Sequence, residues 1–353
     1  MPRVTAIAAL LTLAAPLAGP AHAAGDARTL AVDPVELVGG RAVPGVETIA
    51  IEHAGYRYVF ASDDNRAVFA AEPARYEIQL GGACARMGPL SGVGTTELYA
   101  VHDGRIYIFA SEACRRTFLD RPEKLLEKDD PAPQPLDAAA AERGRALLAR
   151  AVEAMGGADA IDSITTCAER VAWESDYEGE PVARSRSLTV TFPEGVRRER
   201  SRGEETWVDV TTGAKGWFES SDGTRDMHAQ QRRALERIAS RNLLVILRAR
   251  HDADFVALAT GPGFAAGQEV EGLVVAFGGS TCTLGLDPAT GRVVSQRYLG
   301  RGPAMEIGEV ERSFSDFRTV ERVTFPHTVA TRFEGEPLAD SPVTLTELRL
   351  ERE

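Results

Sequence analysis

Cys84 and Cys114 have the greatest chemical reach of any residues in this chain. They flank one predicted hairpin, in LGGACARMG and FASEACRRTF, and Met87 adds a third sulfur three residues after Cys84. Ser111 reads as a helix N-cap, which puts Cys114 at the third helical position. Free backbone N–H groups and the helix dipole favour a thiolate there. Three chemistries are open to these sulfurs. They can form a structural disulfide, the default for paired cysteines of an exported chain. They can hold a soft metal, copper or zinc, with Cys84, Met87 and Cys114 as ligands. They can act as a redox pair in a thiol enzyme or sensor, with Cys114 as the low-pKa nucleophile. Spacing alone fixes no geometry between them.

The elements that must position these sulfurs occur twice. HAGYRYVFAS (His53 to Ser62) recurs 49 residues later as HDGRIYIFAS (His102 to Ser111). Each copy predicts strand, glycine turn, strand and helix. Ser62 and Ser111 are predicted N-caps, with Asp63, Asp64 and Glu112 favourable in the first helical turn. Phe69 and Phe118 are expected in the core, and Pro73 and Pro122 stop the helices. His53 and His102 fall at the hairpin turns, about 15 Å or more along the strand from the helix start. They are therefore predicted to be polar turn residues and not ligands.

Asp33-Pro34-Val35, Tyr58-Val59-Phe60-Ala61-Ser62, Glu72-Pro73-Ala74-Arg75-Tyr76 and Gly81-Gly82-Ala83-Cys84-Ala85 occur in that order over residues 28–126. This unit resembles a YHS domain, related to the TRASH group of treble-clef-like metal-binding modules. Metal-binding members carry cysteine after DPV and in an F-C-S-x-x-C helix start. Here those positions are Glu36, Ala61 and Asn65 in the first copy and Ala110 in the second, and only Cys114 remains. A full thiolate cage is absent.

With 353 residues the chain exceeds the usual span of one domain. A net charge of -12 without any Lys/Arg block excludes a nucleic-acid surface. Arg3, the apolar run from Ala6 to Leu17 and Ala21-His22-Ala23 predict a signal peptide over residues 1–23. The run is too short to span a bilayer, and Pro20, not cysteine, follows Leu17-Ala18-Gly19. The expected location is periplasmic or secreted, in soluble form.

Glu127 to Asp137 (EKDDPAPQPLD) is acidic, holds three prolines and predicts an exposed linker over residues 127–137. Ala138 to Met155 predicts a helix with Leu147, Leu148, Ala151, Val152 and Met155 on one face, ended by Gly156-Gly157. The pattern then changes to period two, with strands predicted over 186–192, 205–210 and 214–219 and again from Phe255 to the end. One long helix is predicted over 229–250, with Leu235, Ile238, Val245, Ile246 and Ala249 as its apolar stripe. GPGFAAG (Gly261 to Gly267) predicts a loop.

The stretch from Gly144 to Gly157, Leu286-Asp287-Pro288 with Thr290-Gly291, and Phe317-Arg318-Thr319-Val320 followed by Phe325-Pro326 are the local cues of residues 138–353. In these and in element order the region resembles the LolA-like lipoprotein-sorting group. The resemblance implies a curved, unclosed antiparallel sheet around helices, with an apolar cavity suited to acyl chains. Trp173, Leu188, Trp207, Trp217 and Phe277 are expected inside it. Cys167 and Cys282, both in predicted strands, are expected to form a disulfide.

G-x-S-x-G, H-E-x-x-H, C-x-x-C and the Walker loop are all missing. His228, His251 and His327 have no nucleophile at a suggestive spacing, and His327 is expected at the surface. The expectation is therefore an α+β protein. A duplicated ββα domain (28–126) is followed by a curved, unclosed antiparallel β-sheet domain (138–353) with helices on its concave side. Its expected role is that of a cell-envelope binding protein and not an enzyme. The partner would be a lipophilic ligand or an envelope protein, with no nucleic acid and no transmembrane segment. A thiol redox enzyme or sensor using Cys114 and a purely structural protein with two disulfides are the alternatives.

Overall fold

The computed structural model describes residues 28–352 apart from residue 178. The segment read as a signal peptide lies outside the described residues. No helix among the described residues is long and apolar enough to cross a membrane.

The N-terminal third contains β1 (Arg28–Leu30), α1 (Pro34–Val38), β2 (Val46–His53), β3 (Tyr56–Phe60), α2 (Asp63–Ala71), α3 (Pro73–Tyr76), β4 (Thr95–His102), β5 (Arg105–Phe109) and α4 (Glu112–Asp120). Hairpin β2–β3 runs into α2, and hairpin β4–β5 runs into α4. Both hairpins turn on two residues of positive φ ending in glycine, Ala54-Gly55 and Asp103-Gly104. That geometry matches strand twist. The Oγ atoms of Ser62 and Ser111 accept the N–H groups of Asn65 and Cys114, each at 3.2 Å. His53 meets the Phe69 ring edge-on at 5.8 Å between centroids, and His102 meets Phe118 at 6.0 Å. Each helix is thus capped by serine and pinned by one fully buried phenylalanine.

The larger remainder opens with α5 (Ala140–Ala154) and α6 (Ala158–Asp162). It continues with β6 (Ile164–Tyr177), β7 (Glu180–Thr191), β8 (Gly195–Arg202), β9 (Glu205–Thr212), β10 (Lys215–Ser220) and β11 (Gly223–Asp226). Helices α7 (Ala229–Ala239) and α8 (Leu243–Arg248) follow. The chain ends with β12 (Val256–Ala265), β13 (Gln268–Phe277), β14 (Ser280–Leu286), β15 (Val293–Arg301), β16 (Ile307–Val320), β17 (Val323–Phe333), β18 (Glu336–Pro337) and β19 (Val343–Arg352). These strands form one antiparallel sheet in the order β11-β10-β9-β8-β7-β6-β19-β17-β16-β15-β14-β13-β12, with β18 beside β17. Its ends do not join. β19 enters between β6 and β17, so the two runs of consecutive hairpins meet through it.

Helices cover one face of this sheet. Leu148 and Val152 of α5, Ile161 of α6 and Leu244 of α8 share a single core with Cys167 and Leu350 from the middle of the strand order and with Leu273 and Leu284 from near its β12 end. The sheet must bend around the helices for strands so far apart to reach one cluster. The architecture is therefore a large, unclosed antiparallel sheet with helices on its inner face.

Four sequence expectations are corrected. The helix expected over 229–250 is broken at Ser240–Asn242, because Asn242 is extended and its Oδ1 caps α8 through the N–H groups of Leu244 and Val245. The expected loop at Gly261 is part of β12. Gly261 at φ +83° sits beside a register shift, and Pro262 is tolerated because β12 is an edge strand. His327 is buried, with Nδ1 3.0 Å from the Phe325 carbonyl oxygen. Finally, all four cysteines are free. Cys167 lies on β6 and Cys282 on β14, with four strands between them in the sheet order, so both pack as small buried hydrophobes.

Candidate functional site

The structure brings Cys84, Met87 and Cys114 together around one small apolar cluster with Phe109 and Phe118. Cys84 is almost wholly buried in the turn after Gly82, and its N–H donates to the Gly92 carbonyl oxygen at 2.9 Å. Its sulfur accepts the Ala110 N–H and lies within hydrogen-bonding reach of the Cys114 thiol. Cys114, at the head of α4, is only half-buried.

The two sulfurs differ electrostatically. Burial pushes the Cys84 thiol up, and the neighbouring Cys114 adds to the rise. Burial also raises Cys114, but hydrogen bonds from the Ser111 hydroxyl and the Cys84 thiol, with the Arg86 guanidinium beside it, hold it below the ordinary thiol range. The pair is a buried S–H donor beside a half-buried sulfur whose surroundings favour the thiolate form. Cys282 is pushed up to about 11 by burial, and burial raises Cys167 as well. Burial thus disfavours the thiolate form of both.

Arg86 donates to the Met87 sulfur at 3.0 Å and also faces Cys114. A guanidinium thus stands beside two of the three candidate sulfurs. No three His, Cys, Asp or Glu side chains among the described residues converge as a metal-binding group.

The corresponding place in the first hairpin–helix segment holds no sulfur. Asp33, fully buried, caps α1 through Oδ1, while its Oδ2 accepts the Ala61 N–H at 2.7 Å and the Asn65 amide at 2.8 Å. Asn65 also donates to Glu36 Oε1 at 3.2 Å. Asp33 was missed by sequence reasoning, although Asp-Pro before an apolar run is an N-cap signature.

A second candidate is the groove between the β7–β8 turn and helices α7 and α8. It has a volume of about 730 Å³ and is walled by Val190, Phe192, Val196, Val245 and Phe277, with Arg248 and the exposed His251 and Asp252 among its polar lining. Of the residues expected inside a cavity, Phe277 lines it and Leu188 packs beside it. Trp173 and Trp207 share the inner face further along the strands. Trp217 is corrected: it pairs with Val210, which puts it on the opposite face, where its Nε1 donates to Glu219. A further cavity of about 640 Å³ near Phe333 and Leu338 holds no cluster of reactive groups.

The two units touch closely. Glu77, buried, places Oε2 2.8 Å from His53 Nε2 and Oε1 3.3 Å from His228 Nε2, the N-cap residue of α7. Burial raises this carboxyl, but its hydrogen bonds and charge contacts with His228 and His53 outweigh that and leave it below the usual range. Gln230 and Gln231 of α7 donate to Gln79 and to the Pro89 carbonyl oxygen, both at 3.0 Å. Gly81 makes this approach possible, since a Cβ there would lie 2.4 Å from the Gln231 side chain. The acidic segment after residue 126 is anchored too: Glu127 to Arg301, Asp129 to Arg237 and Asp130 to the Thr281 N–H.

No family model matches the chain, and no curated protein matches it. Three solved structures are similar to the larger unit. A DUF1329 family protein from Desulfovibrio piger shares 12% identity over 59% of this chain and 93% of its own, with a TM-score of 0.39. A putative outer membrane lipoprotein-sorting protein domain from Vibrio parahaemolyticus shares 13% identity over 60% and 93%, with a TM-score of 0.37. A LolA superfamily protein from Nitrosomonas europaea shares 11% identity over 60% and 94%, with a TM-score of 0.38.

Proposed function

We propose that this protein is an exported cell-envelope binding protein whose sheet unit holds a lipophilic ligand in the groove between β7–β8 and helices α7–α8. The supporting observation is the groove itself. Its volume of about 730 Å³ falls within the range of small-molecule sites. Val190, Phe192, Val196, Val245 and Phe277 supply its apolar wall, and Glu194, Glu236, Arg248, His251 and Asp252 are also in its lining. Export rests on the sequence of residues 1–23. The partner is an acyl-type ligand or an envelope protein that carries one, and the role is binding, not catalysis.

Native mass spectrometry of gently purified protein should show a co-purifying lipid, and a fluorescent fatty acid should be taken up saturably. Phe277→Asp should remove that uptake. Absence of both lipid and uptake in the unaltered protein would sink the reading.

A second reading, that residues 28–126 form a YHS-type unit with thiol function, draws on the Cys84–Cys114 pair. The Cys114 thiolate would attack a small disulfide RSSR, releasing RS⁻ and forming a mixed disulfide. The Cys84 thiol, losing its proton, would then displace the second RS⁻ and close a Cys84–Cys114 bond. This chemistry suits the Arg86 setting better than copper or zinc at Cys84, Met87 and Cys114. Treatment with glutathione disulfide should give a protein lighter by two hydrogens with both thiols blocked. Cys84→Ser should instead trap the glutathione adduct on Cys114. If neither product forms, the thiol reading falls.

A further inference from the structure

The inner face of the sheet changes character along its strands. Next to α8 it is apolar, where Cys167, Val190 and Val196 stand opposite one another. One row further along β7, Leu188 faces Glu169 and Arg198. In the row after that, Arg186 faces Val171 and Arg200. Arg312 of β16 shares this face with Phe314 of the core, and its charge acts on both Arg186 and Glu169. Arg241, at the α7–α8 junction, completes the set. Its guanidinium and that of Arg312 lie 4.5 and 5.0 Å from the centre of the Tyr298 ring.

Arg186, Arg198, Arg200 and Arg312 thus act on one another, and Arg241 joins them through the Tyr298 ring that it shares with Arg312, while Glu127 and Asp130 offset only Arg241. Asp209 is taken by Arg198 and Arg200. Glu169 is hydrogen-bonded with Asn242, and burial raises its pKa towards the neutral acid. Arg186 has no hydrogen bond or ion pair among the described residues, only charge contacts. The Nε–H groups of Arg200 and Arg241 and the indole N–H of Trp173 are buried without a hydrogen-bond partner. Every one of these orphaned groups is a donor.

Accessibility adds a second observation. Arg186 is exposed, yet desolvation by surrounding protein is the largest influence on it and lowers its pKa, with repulsion from Arg312 next. Both hold for a side chain that projects into a water-accessible concavity and not into bulk solvent.

We propose that this arginine-lined concavity binds the anionic headgroup, carboxylate or phosphate, of an amphiphile whose apolar chain lies in the adjoining groove. The assignment rests on the lipophilic reading above and extends it to the headgroup. Guanidinium forks match carboxylate and phosphate oxygens, and an anion would relieve the mutual repulsion of the arginines. Arg186 and the groove residue Val190 are four residues apart on one strand, about 13 Å, within reach of a long acyl chain.

The test is displacement of cis-parinaric acid from the full-length protein by hexadecanoic acid, by hexadecanol and by inorganic phosphate. The acid should compete at least about tenfold better than the alcohol, as a charge-assisted contact requires. Arg186→Gln should lower the acid to the level of the alcohol and leave the alcohol unchanged, and Arg186→Lys should restore part of the difference. The Arg186 guanidinium holds no other group, so the variant should unfold at the unaltered temperature. Arg312→Gln gives an independent version of the same comparison. Equal competition by acid and alcohol, or a preference that survives both Gln variants, overturns the headgroup site and leaves the groove reading intact. If cis-parinaric acid does not bind while phosphate alone binds saturably by calorimetry, the groove reading fails and the ligand is a free anion, which also overturns the amphiphile.

Discussion

At the head of α2, Asp33, Glu36 and Asn65 meet; at the head of α4, Cys84, Met87 and Cys114 meet. In each case an acceptor takes the N–H of the residue before the serine cap, and a side chain three residues past that serine closes the contact. The first set is a closed hydrogen-bond network. The buried Asp33 carboxylate uses both oxygens for four donors, and nothing in it can be transferred or oxidised. The second set is under-determined. Sulfur makes weak hydrogen bonds, so its two thiols hold their places through packing, and Cys114 alone stays partly exposed. The contrast sets a closed hydrogen-bond network against a pair of packed thiols, each at the head of a helix that follows a hairpin.

The sharpest way to break that contrast is to remove the acceptors. Asp33→Ala should destabilise the protein by about 3 kcal/mol, since it deletes a cap and leaves buried donors unpaired. Cys84→Ala should cost about 1 kcal/mol, the price of a small buried group. Equal midpoint shifts in urea unfolding would show that both places are structural. Next in size is reactivity. At pH 7 iodoacetamide should modify Cys114 at least about tenfold faster than Cys84, Cys167 or Cys282, because only Cys114 is both accessible and held below the usual thiol range. Peptide mapping of the labelled protein would reveal any other order. Arg86→Gln should then move the midpoint of the Cys114 rate–pH profile upward, because a cation that favours the thiolate is gone. An unmoved midpoint would assign the lowering to Ser111 and Cys84 alone.

The smallest effect concerns Glu77, where a carboxylate serves the contact between units. Its pKa is lowered on folding, so its contribution is fully present above the unfolded carboxyl value of 4.5 and is lost as pH falls through the lower folded value. Glu77→Gln should cost about 1 kcal/mol at neutral pH. The difference from the unaltered protein should vanish in acid below that folded value. A pH-independent difference would make Glu77 a packing residue.

Local features of this fold were legible in the sequence. Ser62, Ser111 and the glycine turns specify their elements through near neighbours, and so does the strand alternation that puts Arg186, Leu188 and Val190 on one face. What could not be read depends on which distant strands become neighbours. Cys167 and Cys282 looked like a disulfide because sequence does not show the four strands between them. Trp217 was assigned to the wrong face because its pairing with Val210 settles its side. Asn242 broke a periodic helix pattern with a cap worth more than continuity. The arginine concavity was invisible for the same reason, since Arg186, Arg241 and Arg312 lie far apart along the chain. Cys84, Met87 and Cys114 were singled out from the sequence and the fold brings them together, whereas Arg86 beside them was not considered.

The position of β19 has a kinetic consequence. Residue Cys167 near the start of the sheet pairs with Leu350 near its end, which closes a loop of about 180 residues, and β17 holds β19 through only two residue pairs. Each run of hairpins can zip up from local contacts, but joining them is a non-local event whose entropy must be met before it is rewarded. Assembly therefore ends with this strand. A chain stopped short of residue 343 would carry two half-sheets with open edges and nothing between them to prevent pairing with another molecule.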